Sequence, residues 1–307
     1  MEFFRNILLK IIDKKKYYQL REKKKIEKSI NIFKSKIESK IHNISNNIKN
    51  KKVLNFSHSG HCGDIVCSLP VIKELSKTHE CNLYLNLNKK MPVPYYKHPA
   101  GNVYMDNRIY NLIQPLLAQQ KFLKKVSILK NEKIDIDLDL FREMPINLNF
   151  NSCRWFFHLT GIHVDLTNQY LFAEEHKNLK DKIIIHRTFR YRNNFIDYKF
   201  LSELNNIYFI GVKEEYDDLK KDIKNLNFYE CKDYYDMANI IYSSKLFIGN
   251  SSIGYPIAEA LKIPRLLEAC PDFPVMQPSG KNGFDFYYQE HFEKLFHYLN
   301  KRYTKDN

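Results

Sequence analysis

The feature that most constrains how this chain can fold is a unit that recurs along it: a short apolar strand, a loop of small residues, then an apolar helix. Val53-Leu54-Asn55-Phe56 runs into Ser57-His58-Ser59-Gly60-His61-Cys62-Gly63-Asp64, and the apolar stretch Ile65 to Leu75 follows. Lys182-Ile183-Ile184-Ile185-His186 restarts the pattern. Leu246-Phe247-Ile248-Gly249-Asn250-Ser251-Ser252 repeats it ahead of a helix starting near Pro256. Strand, turn and helix in that order open a doubly wound α/β unit, whose ligands bind at the carboxyl ends of the strands. With 307 residues, two domains of ordinary size are expected. The predicted division is an extension over 1–50, a first α/β domain over 51–176 and a second over 177–307.

Charge is unevenly placed. Residues 1–52 carry 16 Lys/Arg against 5 Asp/Glu, while the remaining 255 residues carry 33 against 30. The basic character therefore belongs to the extension, and it suits an anionic surface or a solvated helix. Phe3, Phe4, Ile7, Leu8, Ile11 and Ile12 recur at helical spacing beside Arg5, Lys10 and Lys14-Lys15-Lys16, an amphipathic pattern fit for a membrane interface through residues 1–25. Ile26, Ile30, Phe33, Ile37, Ile41, Ile44 and Ile48 continue as a second helical stripe that would pack on the body or on another copy. No aromatic-and-basic groove accompanies the charge, so nucleic acid is not expected.

The six cysteines have neither CxxC nor zinc-site spacing and read as buried, reduced thiols. No signal peptide and no run of membrane-spanning length occurs. A cytoplasmic protein is expected, peripheral at the membrane's inner face if the extension binds there.

Gly60 and Gly63 let the first loop turn sharply and approach a ligand, and the helix start after them offers free N–H groups. Their GxxG spacing is not the GxGxxG of dinucleotide folds. Asp64 has two readings: a general base beside a cleft, or the N-cap of the helix. His58 and His61 flank the loop, either as phosphate or acceptor ligands or as incidental residues.

Further along, Cys81 to Asn86 reads as a strand, Ile109 to Lys130 as a helix entered through Pro115, and Ile134 to Leu140 as an alternating strand. Asp137 and Asp139 would share one face of that strand, as a solvated edge or a metal pair. Arg142 follows its end, and Ser152 to Leu159 is an aromatic core helix.

In the second half, Arg187, Arg190 and Arg192 crowd one loop, where guanidinium forks match phosphate oxygens. Ile207 to Gly211 and Ile263 to Glu268 read as strands. Glu214 to Lys224, Asp236 to Ser244 and Phe284 to Tyr303 read as helices. Hydroxyls and N–H groups around Asn250, Ser251 and Ser252 make an anion site at a helix start. Glu259, one turn in, is either a ribose ligand or an ordinary helix glutamate.

Gly63-Asp64-Ile65-Val66 with Leu69-Pro70, the basic block His186 to Lys199, and the segment Ser244 to Pro264 together resemble heptosyltransferase-type enzymes of glycosyltransferase family 9. The resemblance spans roughly residues 53–300 and rests on the order and spacing of three short motifs. It implies the GT-B fold, two Rossmann-like domains facing a cleft. It also implies inverting, metal-independent transfer of a sugar from a nucleotide-diphosphate sugar to a glycan or lipid-linked acceptor, as in surface polysaccharide assembly, with no further cofactor. Asp64 would then be the general base. Arg187, Arg190 and Arg192 would hold the leaving diphosphate, and Asn250, Ser251 and Ser252 the phosphates or the base and ribose. Asn250-Ser251-Ser252 stands where the family has Asp-Ser-Gly, and arginines stand where a lysine is usual. Two other readings share the fold: a binding or scaffold protein without turnover, and a sugar-nucleotide epimerase or hydrolase. The sequence is silent on oligomeric state.

Overall fold

The computed structural model describes residues 2–93 and 98–302. The side chains of Phe3 and Arg5, assigned above to the amphipathic pattern, and Tyr303, the end of the expected terminal helix, lie outside the described residues.

The extension is helical throughout: α1 (Glu2–Ile12), α2 (Lys14–Ile32), a wider π-type turn over Phe33–Ile37, and α3 (Glu38–Asn50). Asp13 separates the first two, leaving helical geometry and accepting the Lys16 N–H at 2.9 Å as an N-cap. The Ile26–Ile48 stripe is divided between two environments. Ile37 and Ile44 are buried in the core and Ile41 and Ile48 pack against it, whereas Ile26, Ile30 and Phe33 stay exposed. Burying each isoleucine contributes roughly 1.5–3 kcal/mol, so α3 is the half that anchors. Polar contacts fix its register: Lys40 pairs with Glu143 at 2.8 Å, and Asn47 donates to the Asp135 carbonyl at 2.9 Å.

The first sheet contains β1 (Val53–His58), β2 (Glu80–Leu85), β3 (Lys125–Ile128) and β4 (Ile136–Asp137), all parallel, in the order β3-β2-β1-β4. Its helices are α4 (Cys62–Leu75), α5 (Asn107–Ala118) and α6 (Cys153–Thr160). The helix expected over 109–130 stops at Ala118, and Lys125 to Ile128 instead pair with β2, because the edge of β2 leaves backbone groups that need partners. Pro115 lies inside α5, whose start is Asp106 capping Ile109 at 2.8 Å. The strand expected over 134–140 is only two residues long, and a 3-10 turn over Leu138–Glu143 replaces the rest. That turn carries Asp139 inward, so the solvated acidic face does not form.

The second sheet contains β5 (Ile183–His186), β6 (Ile207–Ile210), β7 (Asn227–Tyr229), β8 (Leu246–Asn250), β9 (Arg265–Glu268) and β10 (Gly283–Phe286), again all parallel. The order β10-β9-β8-β5-β6-β7 is the doubly wound arrangement in which the chain reverses direction between its first and fourth strands. The helices are α7 (Lys213–Leu219), α8 (Tyr234–Ser243), α9 (Gly254–Leu261) and α10 (Gln289–Arg302). The terminal helix therefore begins at Gln289, since residues 283–286 extend the sheet beside β9.

The sheets meet through helices, α4 against α9 and α5 against α8. One apolar cluster runs from Leu54 and Phe56 through α4 to Tyr255 and Phe247, and a second fills the opposite face of the larger sheet. All six cysteines are free thiols. No helix among the described residues is long and apolar enough to cross a membrane.

Candidate active site

Each sheet has a switch point where strand order reverses, between β1 and β4 in one and between β5 and β8 in the other. Loops leaving the carboxyl ends of such strands diverge and open a crevice. Both crevices contribute to one cleft of about 510 Å³ between the sheets. His61, Gly63, Asp64 and Arg142 line it from the first domain, and Arg190, Tyr191, Ser251, Ser252 and Phe273 from the second.

Asp64 is the third residue of α4, and His61 occupies the cap position, so the N-cap reading of Asp64 does not hold. Its carboxylate meets the Arg142 guanidinium at 2.9 Å. Arg142 also pairs with Asp139 and takes the Gly60 carbonyl, and it lies 4.4 Å from the ring centre of Tyr104. Burial raises the Asp64 pKa, and the Arg142 charge acts against that rise. Burial would raise Asp139 too, but His58, Arg142, Ser59 and Lys89 together outweigh it and hold that carboxyl well below its usual range. Asp139 is thus a fixed anion that orients Arg142, and Asp64 is the carboxylate with access to the cleft. Asp137, hydrogen-bonded by Ser57 at 3.0 Å and by the Asp139 N–H at 3.1 Å, caps the turn. Among the described residues no group of three or more His, Cys, Asp or Glu side chains is placed to hold a metal ion.

The loop histidines have different fates. His58 is fully buried, accepts the Gly60 N–H at 3.0 Å and does not line the cleft; burial lowers its pKa to about 4. His61 does line it, and its Nδ1 lies 2.9 Å from Nε2 of His98. Burial and the nearby Arg142 lower His61 to about 3, so this pair is neutral. Gly60 has φ +103° and a side chain there would meet the Tyr104 carbonyl at 3.0 Å, so glycine is required on both counts.

The three arginines of the basic loop separate. Arg187 is buried and bidentate on Glu268, at 2.6 and 3.0 Å, which corrects its expected place at the diphosphate. Glu268 also accepts Tyr198 Oη at 2.8 Å and the Asn193 N–H at 2.6 Å, so the group ties the loop to β9. Arg192 pairs with Asp218 over the ring of Phe189 and does not line the cleft either. Arg190 does line it and forms no ion pair among the described residues. Glu268 on β9 takes Arg187 and the half-buried Asp218 on α7 takes Arg192, which leaves Arg190 as the arginine of this loop that lines the cleft.

Asn250 is fully buried and reciprocally bonded to Thr188, accepting its N–H at 3.1 Å and donating to its carbonyl at 2.8 Å. It staples the β5 and β8 loops together instead of facing the cleft. Ser251 and Ser252 line the cleft just before α9. Glu259 is buried against Lys262, Arg265 and the Ser279 N–H and does not line the cleft. Residues missed in the sequence complete the walls: His98, Tyr104, and the rings of Tyr191 and Phe273, near-parallel at 19° with centres 6.4 Å apart. The only advance signal for the first two was the proline-rich stretch after β2.

This architecture is similar to that of solved glycosyltransferase structures. A glycosyl transferase family 9 protein from Veillonella parvula superposes with a TM-score of 0.52 at 10% identity, over 81% of this chain and 89% of that one. The fold is GT-B. The GT-B structure of E. coli heptosyltransferase WaaC with ADP gives 0.51 at 10% identity, over 82% and 98%. The dodecameric iron-containing heptosyltransferase TibC, from enterotoxigenic E. coli, in complex with ADP-D-β-D-heptose gives 0.50 at 13% identity, over 76% and 63%. No protein-family model matches the sequence, and no curated protein does. The likeness to glycosyltransferase family 9 is thus one of GT-B architecture, with the helical extension added in front.

Proposed function

We propose that this protein is an inverting, metal-independent glycosyltransferase that moves a sugar from a nucleotide-diphosphate sugar to a hydroxyl of a glycan or lipid-linked acceptor. The observation that carries this reading is that Asp64 and Arg190 line the same cleft from opposite domains, each at the switch point of its own sheet. The acceptor oxygen attacks the anomeric carbon as the bond to the diphosphate breaks, and its proton passes to Asp64. A carboxylate raised by burial is a better base than an exposed one. Arg190, with the N–H groups and hydroxyls of Ser251 and Ser252 at the start of α9, carries the charge that grows on the leaving diphosphate.

Because ADP and ADP-D-β-D-heptose occupy two of the similar structures, ADP-sugars head the donor panel. Transfer measured by product analysis with Asp64→Asn tests the reading: it predicts donor binding retained and turnover lost by roughly a hundredfold or more. Unchanged turnover sinks the assignment of Asp64. A second reading, binding without turnover, draws on the Asp64–Arg142 ion pair, which gives the carboxylate a positioning role of its own. Under that reading the wild type binds nucleotide sugar and yields no product with any acceptor.

A further inference from the structure

The transfer chemistry leaves one part of the molecule unused, the arm formed by α1 and α2. On α1, Ile7, Leu8 and Ile11 share a face at helical spacing, and with Ile12 they are exposed to between 44% and 76%. Ile26 and Ile30 on α2, with Phe33 at the start of the π-type turn that follows, form a second exposed row. Phe33 ends that row at the rim of an apolar groove of about 400 Å³, whose other walls include Ile41, Met144, Ile146 and Phe150. The same stretch that supplies Met144 to Phe150 borders the cleft, through Phe141, Arg142 and Leu148. The exposed apolar surface therefore leads to one wall of the cleft. These exposed apolar rows depart from an ordinary solvated helix, which keeps such residues inward.

Charge identifies what covers this surface. Lys10, Lys14, Lys15, Lys16, Arg21 and the run Lys23-Lys24-Lys25 lie on the same two helices. A second copy of the chain would set this positive arm against another, a repulsive pairing. A nucleic acid satisfies the lysines but leaves the isoleucines in water. An anionic bilayer satisfies both, with apolar side chains below the headgroups and lysines among them. We propose that α1 and α2 are a docking arm for an anionic phospholipid surface, seated so that the wall of the cleft built from residues 141–150 faces the bilayer. This does not depend on the transfer reading.

The test is sedimentation of the full chain with vesicles of phosphatidylcholine alone or of equimolar phosphatidylcholine and phosphatidylglycerol. The expected result is roughly tenfold or greater preference for the anionic vesicles, reduced by high salt. Leu8→Asp with Ile11→Asp should weaken binding roughly tenfold, since it puts charge into the buried face. Lys14→Glu with Lys15→Glu and Lys16→Glu should weaken it on anionic vesicles alone. All five positions are exposed, so thermal unfolding of the body should be unchanged. Equal partitioning onto both vesicles, no partitioning at all, or aspartate variants that bind like wild type would overturn the proposal. A wild-type dimer that the aspartate variant dissociates, with no vesicle binding, would assign the face to a second copy instead.

Discussion

Arg142 reaches Asp64 at 2.9 Å while its other nitrogen is held by Asp139, so a carboxylate that lines the cleft is held by a guanidinium that a buried anion orients. The arrangement sets both the position and the basicity of Asp64. Removing the guanidinium should therefore change the pH at which the proposed base works, and not just the amount of folded protein.

Arg142→Ala takes away the positive charge that opposes burial, so the Asp64 pKa rises further. The acid limb of the transfer pH profile should move to higher pH, with stability reduced by about 1–3 kcal/mol as Asp139 loses a partner. A limb that stays in place would mean that Arg142 does not sense Asp64.

Arg187 and Arg190, three residues apart, should separate under mutation. Arg187→Ala leaves Glu268 buried without its partner, which costs about 3–5 kcal/mol and lowers Tm by roughly 10 °C. Arg190→Ala should leave Tm within a degree or so and weaken nucleotide-sugar binding. Melting curves with and without ligand distinguish the two, and similar curves would contradict the sorting of this loop.

That sorting also marks how far the sequence could be read. The strand–loop–helix openings at 53–75 and 246–261 were legible because glycine-limited turns between apolar runs leave few alternatives. The identity of the cleft-facing arginine was not, because it depends on Glu268, 81 positions from Arg187, arriving on a neighbouring strand. Asn250 reads as a ligand contact, and Glu259 stays open between a ribose ligand and an ordinary helix glutamate, for the same reason; in the fold they answer Thr188 and Arg265. Lys125-Val126-Ser127-Ile128 reads as helix in the sequence because four residues carry no period of their own, and they take their strand conformation from β2.

Gly63 faces Pro256 of α9 and Gly254 faces His186 of β5, and the two differ in room. A side chain at Gly254 would lie 2.8 Å from the buried His186 ring, whereas one at Gly63 meets only Pro256 at 3.5 Å. Gly254→Ala should destabilise by about 1–3 kcal/mol, and Gly63→Ala should fold normally. Denaturant titration reads both, and a stable Gly254→Ala would mean that α9 sits further from β5 than described.

Acid should unfold the protein earlier than carboxyl titration alone would cause. His58 and His186 are buried and lowered to about 4, so the unfolded chain binds their protons first. Their contribution is intact above the ordinary histidine value of about 6.5 and is lost as pH falls toward 4, by about 2 kcal/mol for each at pH 5. The raised carboxyls of Asp64 and Asp137 act with opposite sign nearer the ordinary carboxyl range. Denaturant midpoints between about pH 7 and 5 should fall steadily; a flat profile would show these histidines protonated without cost.

The most direct test of the account is thermal stabilisation by a panel of nucleotide-diphosphate sugars, run on the wild type and on Arg190→Ala. A donor present at a hundred times its dissociation constant should stabilise the fold by about 2.7 kcal/mol. The account predicts that one nucleotide family raises the melting temperature of the wild type and that Arg190→Ala abolishes the shift. No shift with any nucleotide sugar, or a shift that Arg190→Ala leaves intact, would contradict a donor site in this cleft.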